Sequence, residues 1–198
     1  MVEDKLINDF QRFIRSLDRE SDRGLPLISA AVIEEKLHDT LKAFLSDVSA
    51  SKKILNDFNA PLGTFSSKID TCYALGLIDE FEYKEINLIR KIRNEFAHTV
   101  YDASFDIKKI HDLCITLESN LPCGIDPKKL TARFRFKNSV ICLLSRLYYR
   151  PEFVQKEKRQ SKVWVNPDQV RWRSVVDEPI PKDQTVLVLA RKQTKKTR

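Results

Sequence analysis

The residues best suited to chemistry stand together in one short stretch, Ile89 to His98. It contains Arg93, Asn94 and His98 in a segment that otherwise has the apolar spacing of a helix. Asn94 and His98 are four residues apart and share one helical face, whereas Arg93 lies about 140° around the axis from His98. Arg93 and His98 therefore converge only if the helix ends or bends near Ala97, or if a second copy of the chain supplies the partner.

One use of these side chains is cleavage of RNA without a metal ion. An imidazole has an unperturbed pKa near ~6.5, so His98 can act as the base for a ribose 2′-hydroxyl or as the acid for the leaving oxygen. Arg93 can bind the phosphate through two N–H groups and stabilise the charge of the transition state. Asn94 can orient the imidazole or a phosphate oxygen, and a two-fold dimer would bring two such sets into one cleft.

The other use is structural. Arg93 would then pair with a carboxylate on another helix, Asp70 or Glu34. His98 would bind the last carbonyl groups at the negative end of its helix, and Asn94 would form a hydrogen bond across a helix–helix or dimer interface. The residue types suit both uses, so the sequence leaves open whether the three residues are catalytic or structural.

We expect no metal ion and no cofactor. Glu34 and His38 are four residues apart on one helical face, as in half of a metal site, but no second cluster completes the set. The four cysteines are widely spaced and form no Cys-x-x-Cys pair, which favours free thiols in a reducing cytoplasm over a disulfide framework. They are Cys72, Cys114, Cys123 and Cys142.

Hydrophobic spacing predicts a mainly α fold, a bundle of five or six helices over residues 1–150. The predicted helices cover residues 4–17, 25–45, 64–75, 80–97, 107–120 and 128–149. The helix over residues 80–97 has apolar positions around more than half of its circumference, so we expect it to be the central, most buried helix.

Local signals place the ends of the helices around the candidate site. Thr64 is an N-cap residue for one helix, and Gly76 predicts its end. Asp79 followed by Glu82 three residues later is typical of a capping box at the start of the next helix. Pro151 predicts the end of the last helix.

Three stretches of the sequence together resemble the mannitol operon repressor family in their order and spacing. They are Pro61-Leu62-Gly63-Thr64-Phe65-Ser66, Tyr73-Ala74-Leu75-Gly76-Leu77-Ile78 and the stretch from Ile89 to His98. The resemblance covers roughly residues 20–120. It implies a regulator of transcription, and members of that family do not all carry the Arg-Asn…His group.

Arg93 and His98, with Asn94 directly after the arginine, are also similar to the Arg-x4–6-His signature of the HEPN superfamily. Proteins of that superfamily are small helical bundles, often dimeric, and many are metal-independent endoribonucleases. This resemblance implies a HEPN-like bundle, a homodimer and the catalytic roles described above for the three residues.

The charge of the chain is divided unevenly along its length. Residues 1–124 contain 16 lysines and arginines against 21 acidic residues, a net charge of −5, whereas residues 125–198 contain 19 against 7, a net charge of +12. We expect residues 151–198 to form a small basic extension, β-rich or irregular, with a disordered tail. A basic segment of this kind favours DNA or RNA as a partner, through Arg171, Arg173, Lys192, Lys195 and Lys196.

The sequence disfavours a membrane-spanning protein and a secreted protein. No apolar run approaches the roughly 20 residues of a membrane span, and the acidic N-terminus is unlike a secretory signal. We expect a cytoplasmic regulatory protein of the mannitol-repressor type that acts through a protein partner in transcription control, with nucleic-acid contact through its basic third. The alternative is a metal-independent endoribonuclease of the HEPN type, in a toxin or phage-defence role.

Overall fold

The computed structural model describes residues 2–164 of the 198. Over that part of the chain the backbone forms eight α-helices and one short 3-10 turn, and no strand, which confirms the mainly α prediction. The helices are α1 (Val2–Leu17), α2 (Gly24–Phe44), α3 (Ser49–Asn56), α4 (Phe65–Ala74), α5 (Glu80–His98), α6 (Lys108–Ile115), α7 (Ala132–Leu147) and α8 (Arg150–Gln155), and the turn is Pro127–Lys129.

The chain divides into two compact units, Met1–Ser161 and Lys162–Arg198. The first unit contains every helix named above. The predicted extension, residues 151–198, is described only as far as residue 164. Arg171, Arg173, Lys192, Lys195 and Lys196 therefore all lie outside the described residues. In residues 2–164 no helix has both the length and the apolar character needed to cross a membrane.

Helices α2 and α5 form the centre of the bundle. Helix α2 packs against α3, α4, α5, α7 and α8, and α5 packs against α2, α4, α6 and α7. Fully buried side chains follow one face of each helix at intervals of three or four residues, and burying each one contributes roughly 1.5–3 kcal/mol. They are Ile33, Leu37 and Leu41 on α2, and Ile86, Ile89, Ile92 and Phe96 on α5.

The signals at the ends of α4 are confirmed. The Thr64 hydroxyl accepts a hydrogen bond from the backbone N–H of Ser67 at the start of the helix. At its other end Gly76 has a φ of +70°, and the N–H of Leu77 donates to the carbonyl of Cys72 at 2.8 Å. A side chain with a Cβ is strained at that φ, which explains the glycine at this helix end.

The predicted capping box at the start of α5 is also confirmed, and it does more than cap the helix. The Asp79 carboxylate accepts from the N–H of Glu82, and the Glu82 carboxylate accepts from the N–H of Asp79 at 2.9 Å. Glu82 is fully buried, and its other oxygen binds Arg150 at 2.6 Å. Arg150 also donates to the carbonyl of Leu77 at 2.7 Å, so one arginine joins α8 to both sides of the α4–α5 turn.

Helix α6 is shorter than predicted because the residues after it bind a buried carboxylate. The prediction extended this helix to residue 120, and it ends at Ile115. The backbone N–H of Glu118 and the hydroxyl of Ser119 each donate to the Glu85 carboxylate at 2.6 Å, and the hydroxyl of Ser139 on α7 donates to it as well. Glu85 is 1% exposed, so these donors replace the water that a carboxylate otherwise binds.

Helix α7 ends before Pro151, as predicted, but Pro151 also lies in the first turn of a further helix that the sequence did not predict. Helix α7 ends at Leu147, and Pro151 lies in the first turn of α8, where the missing N–H is tolerated. Helix α8 packs against α2, and its Val154 side chain is buried. The helical packing therefore continues beyond residue 150.

We expect the Glu82→Ala substitution to lower the free energy of unfolding by about 3–5 kcal/mol, because it leaves Arg150 without its carboxylate and removes half of the capping box. Urea denaturation followed by circular dichroism measures the loss. Glu80→Ala is the matched control on the same helix, since the ion pair of Glu80 with Lys84 is exposed at both ends. Equal stability losses for the two variants would contradict the assigned role of Glu82.

Candidate functional site

The three candidate residues lie on the last turns of α5, which continues without a break to His98. Helix formation ends at Thr99, whose backbone N–H and hydroxyl both bind the carbonyl of Glu95, at 3.0 and 2.8 Å. Because His98 is still helical, Arg93 remains about 140° around the axis from it. One chain therefore does not bring Arg93 and His98 together on one side of the helix.

The contacts of these side chains differ from the predicted structural use. Arg93 and His98 are exposed and Asn94 is half-buried. The guanidinium of Arg93 donates to the side-chain carbonyl of Asn94 at 3.0 Å. In the described residues His98 makes no side-chain hydrogen bond, so the predicted capping of the last carbonyls by His98 is wrong.

The predicted carboxylate partners of Arg93 are also wrong. Asp70 accepts a hydrogen bond from the hydroxyl of Tyr83 at 3.0 Å, and Glu34 forms an ion pair with Lys68 at 2.6 Å. Helical periodicity placed each carboxylate on an element near α5, but it could not show which cation each would meet. The pair with Lys68 also occupies the carboxylate that a metal site with His38 would need.

Arg23, and not His98, binds the carbonyl groups at the end of α5. Its guanidinium donates to the carbonyls of Thr99 and Val100, the second at 3.0 Å. A cation at this point is favoured by the negative end of the helix dipole. Arg23 precedes α2 and is 76 residues distant from Thr99 in sequence, so no local pattern could have identified this interaction.

The loop that carries Arg23 is itself fixed to α7 and to the segment after α5. The Asp22 carboxylate forms an ion pair with Arg133 at 2.6 Å and accepts from the N–H of Phe105 at 3.3 Å. Asp18, at the start of the same loop, forms an ion pair with Lys137. The end of α5 is therefore positioned by contacts with distant parts of the chain.

Arg90, one turn before Asn94, has a buried hydrogen-bond donor without an acceptor. Its Nε atom is buried and has no partner in the described part of the chain. Its terminal nitrogen makes a long contact of 3.4 Å with the side chain of Asn87. An unpaired buried donor costs about 1–3 kcal/mol, so this contact destabilises the bundle locally.

An open groove of about 720 Å³ runs along the same helix toward α6. Its walls combine apolar, aromatic and cationic side chains from α5 with residues at the end of α6. They include Tyr83, Leu88 and Lys91 on α5, and Leu113 and Thr116. Sequence reasoning missed this groove, because it assigned the apolar residues of α5 to the core.

A stacked pair of tyrosines lies at the groove. The rings of Tyr73 and Tyr83 are 4.4 Å apart and nearly parallel, and 41% of Tyr73 is exposed. The hydrogen bond from the Tyr83 hydroxyl to Asp70, together with the charge of that carboxylate, raises the pKa of Tyr83 above its usual value. Tyr83 therefore remains a neutral hydrogen-bond donor through the physiological pH range.

All four cysteines are free thiols, as predicted. Burial raises the pKa of Cys72 to about 12, against the smaller opposing effect of the Arg150 charge. Burial alone raises the pKa of Cys114 to about 12. In residues 2–164 no group of three or more His, Cys, Asp or Glu side chains is arranged to bind a metal ion.

The fold and the site together define a small helical bundle with an exposed polar group at the end of its central helix. No protein-family model matches the chain, and no curated protein matches it. Its structure is similar to a chain in the X-ray structure of the MtlR-HPr complex from Escherichia coli. The two share 20% sequence identity and a TM-score of 0.48, over 74% of this chain and 98% of that chain.

We expect Arg23→Ala to loosen the end of α5 while leaving the rest of the bundle intact. The carbonyls of Thr99 and Val100 would lose their only side-chain donor in the described residues, and the last turn would open more often. Hydrogen exchange measured by mass spectrometry should become faster over residues 95–102 and stay unchanged over α2. The exposed Arg19→Ala is the control, and faster exchange in both variants would contradict the role of Arg23.

Proposed function

We propose that this chain is a cytoplasmic regulatory protein of the mannitol-repressor type, which acts by binding a protein partner in transcription control. The observation that carries the proposal is a pair of exposed polar side chains at the end of α5 that bind no other element of the bundle. Arg93 has a hydrogen bond only to its neighbour Asn94, and His98 has none among the described residues. Exposed arginines are enriched at interfaces between protein molecules.

The groove favours a protein surface as the partner over a small substrate. It is open along its length, and it presents Tyr83, Leu88 and Leu113 beside the lysines of α5. Tyr73 stacks on the ring of Tyr83. Aromatic and apolar side chains surrounded by charges are the composition of the centre and rim of a protein–protein interface. The sequence resemblance to the mannitol operon repressor family supports the same class of function.

The second candidate is a metal-independent endoribonuclease of the HEPN type. It is favoured by the exposure of Arg93 and His98 on one helix end, where a second copy of the chain can reach them. In a homodimer, His98 of one copy would accept the proton of the ribose 2′-hydroxyl, and the alkoxide would attack phosphorus to form a 2′,3′-cyclic phosphate. The bond to the 5′-oxygen would break as the imidazolium of the second copy protonates that oxygen. Arg93, oriented by Asn94, would stabilise the additional negative charge on the phosphorane.

An RNA-cleavage assay in the presence of EDTA distinguishes the regulatory protein from the endoribonuclease. We expect no cleavage by the wild-type protein. Because we also propose a homodimer with Arg93 and His98 at its interface, we expect Arg93→Ala and His98→Ala to lower the fraction of dimer in sedimentation velocity. Arg19→Ala, an exposed arginine outside the site, is the control for charge. The nuclease would be established if the wild type and Arg19→Ala cleave RNA, both site variants do not, and the sedimentation of the site variants is unchanged. That result would overturn the regulatory proposal.

We further propose that the C-terminal third of the chain binds nucleic acid. The support is its net charge of +12 over residues 125–198, since lysine and arginine release counterions from a nucleic acid when they bind its phosphates. A variant designed for this test replaces five cations with glutamine. These are Arg171, Arg173, Lys192, Lys195 and Lys196.

We expect this variant to bind duplex DNA more weakly and with a lower salt dependence, by about 0.9 in the log–log slope for each phosphate that is no longer neutralised. Fluorescence anisotropy across a salt series measures both quantities. The charge-matched control replaces five exposed lysines of the bundle. They lie before residue 125 and are Lys53, Lys84, Lys91, Lys108 and Lys109. Weaker binding by the control, with unchanged binding by the tail variant, would move the DNA-binding surface to the bundle.

A further inference from the structure

A second cavity, separate from the α5–α6 groove, lies where the end of α2, the helix α3 and the residues after α8 meet. Its volume is about 350 Å³. Three of the side chains that line it are lysines, one from each of these segments: Lys42, Lys52 and Lys158. The polar group at the end of α5 does not contribute to it.

Tertiary contacts fix the position of Lys158 at the cavity. The backbone N–H of Arg159 donates to the carbonyl of Phe44 at 2.8 Å, and the Arg159 guanidinium lies 5.3 Å from the centre of the Phe44 ring. These contacts attach the residues after α8 to the last turn of α2. Lys158, directly before Arg159, is thereby held at the cavity with Lys42.

The three ammonium groups are not neutralised within the described part of the chain. None of the three lysines has a carboxylate within ion-pair distance there. The carboxylates at the cavity are Asp47 and Asp39, and Asp39 is 3.7 Å from a different lysine, Lys36. Three lysines against two aspartates leave the lining with a net charge of +1, and an anion placed among the three ammonium groups is attracted by each of them.

The rest of the lining limits the class of anion. Hydroxyl and amide groups face the cavity, and none of the described residues that line it is aromatic, so a nucleotide base has no ring on which to stack. The polar residues are Ser46, Ser51, Asn56 and Gln155. Lysine binds phosphate as a point charge, and a volume of about 350 Å³ has room for a small molecule.

We propose that this cavity binds a small phosphate-bearing molecule through Lys42, Lys52 and Lys158. The hydroxyl and amide groups of the lining hydrogen-bond the rest of that molecule. This binding site is independent of the proposed regulatory function, because it shares no residue with the α5 end.

Inorganic pyrophosphate is the probe, titrated into the full-length protein by isothermal calorimetry at an ionic strength kept constant with sodium chloride. We expect saturable binding by the wild type. The combined variant Lys42→Gln, Lys52→Gln and Lys158→Gln should weaken it on the order of tenfold or more, because it removes three charge-assisted contacts.

Two further variants test whether the loss of affinity is specific to the three lysines of the cavity. The charge-matched control Lys53→Gln, Lys91→Gln and Lys128→Gln replaces three exposed lysines outside the cavity and should retain the wild-type affinity. The double variant Arg93→Gln and His98→Gln should retain it too. Absence of saturable binding by the wild type, equal losses of affinity in the two lysine variants, or weaker binding only in the double variant would each overturn the proposal. Circular dichroism establishes that each variant is folded.

Discussion

The buried carboxylate of Glu82 is the group on which the arrangement of the bundle most depends. A carboxylate removed from water destabilises a protein unless it is fully paired. Glu82 is paired on both oxygens, by the N–H of Asp79 and by Arg150. The start of α5, the turn before it and α8 must therefore be in place together. Arg150 extends the same network to the carbonyl of Leu77, so α8 is as much part of the bundle as the longer helices.

The two ends of α5 consequently differ in how fully their polar groups are paired. At one end the buried Glu82 carboxylate is paired on both oxygens. The other end exposes Arg93 and His98 and leaves the buried Nε of Arg90 without an acceptor in residues 2–164. Because the helix is anchored at Glu82 and again, through Arg23, after His98, its exposed polar groups are held in a defined position. A rigidly presented surface loses little conformational entropy when a partner binds.

Signals that depend only on near neighbours in the chain predicted the local structure well. The capping residues Thr64 and Asp79 and the glycine at position 76 act through hydrogen bonds within a few residues, and the structure has each of them as predicted. The end of α6 could not be predicted in the same way. Its last residues have helix-forming sequence, but the stronger requirement to pair Glu85 takes Glu118 and Ser119 out of the helix.

The amino-acid sequence by itself determined the mainly helical fold, the ends of α4 and α5, and the position of Arg93, Asn94 and His98 on one helix, because periodicity and capping act over short separations. Tertiary structure alone decided the partners of the charged side chains. Asp70 binds Tyr83, Glu34 binds Lys68, and Arg23 occupies the helix end assigned to His98. The physical reason is that any nearby cation or hydroxyl group can satisfy a carboxylate, so the choice among these donors depends on how the helices pack.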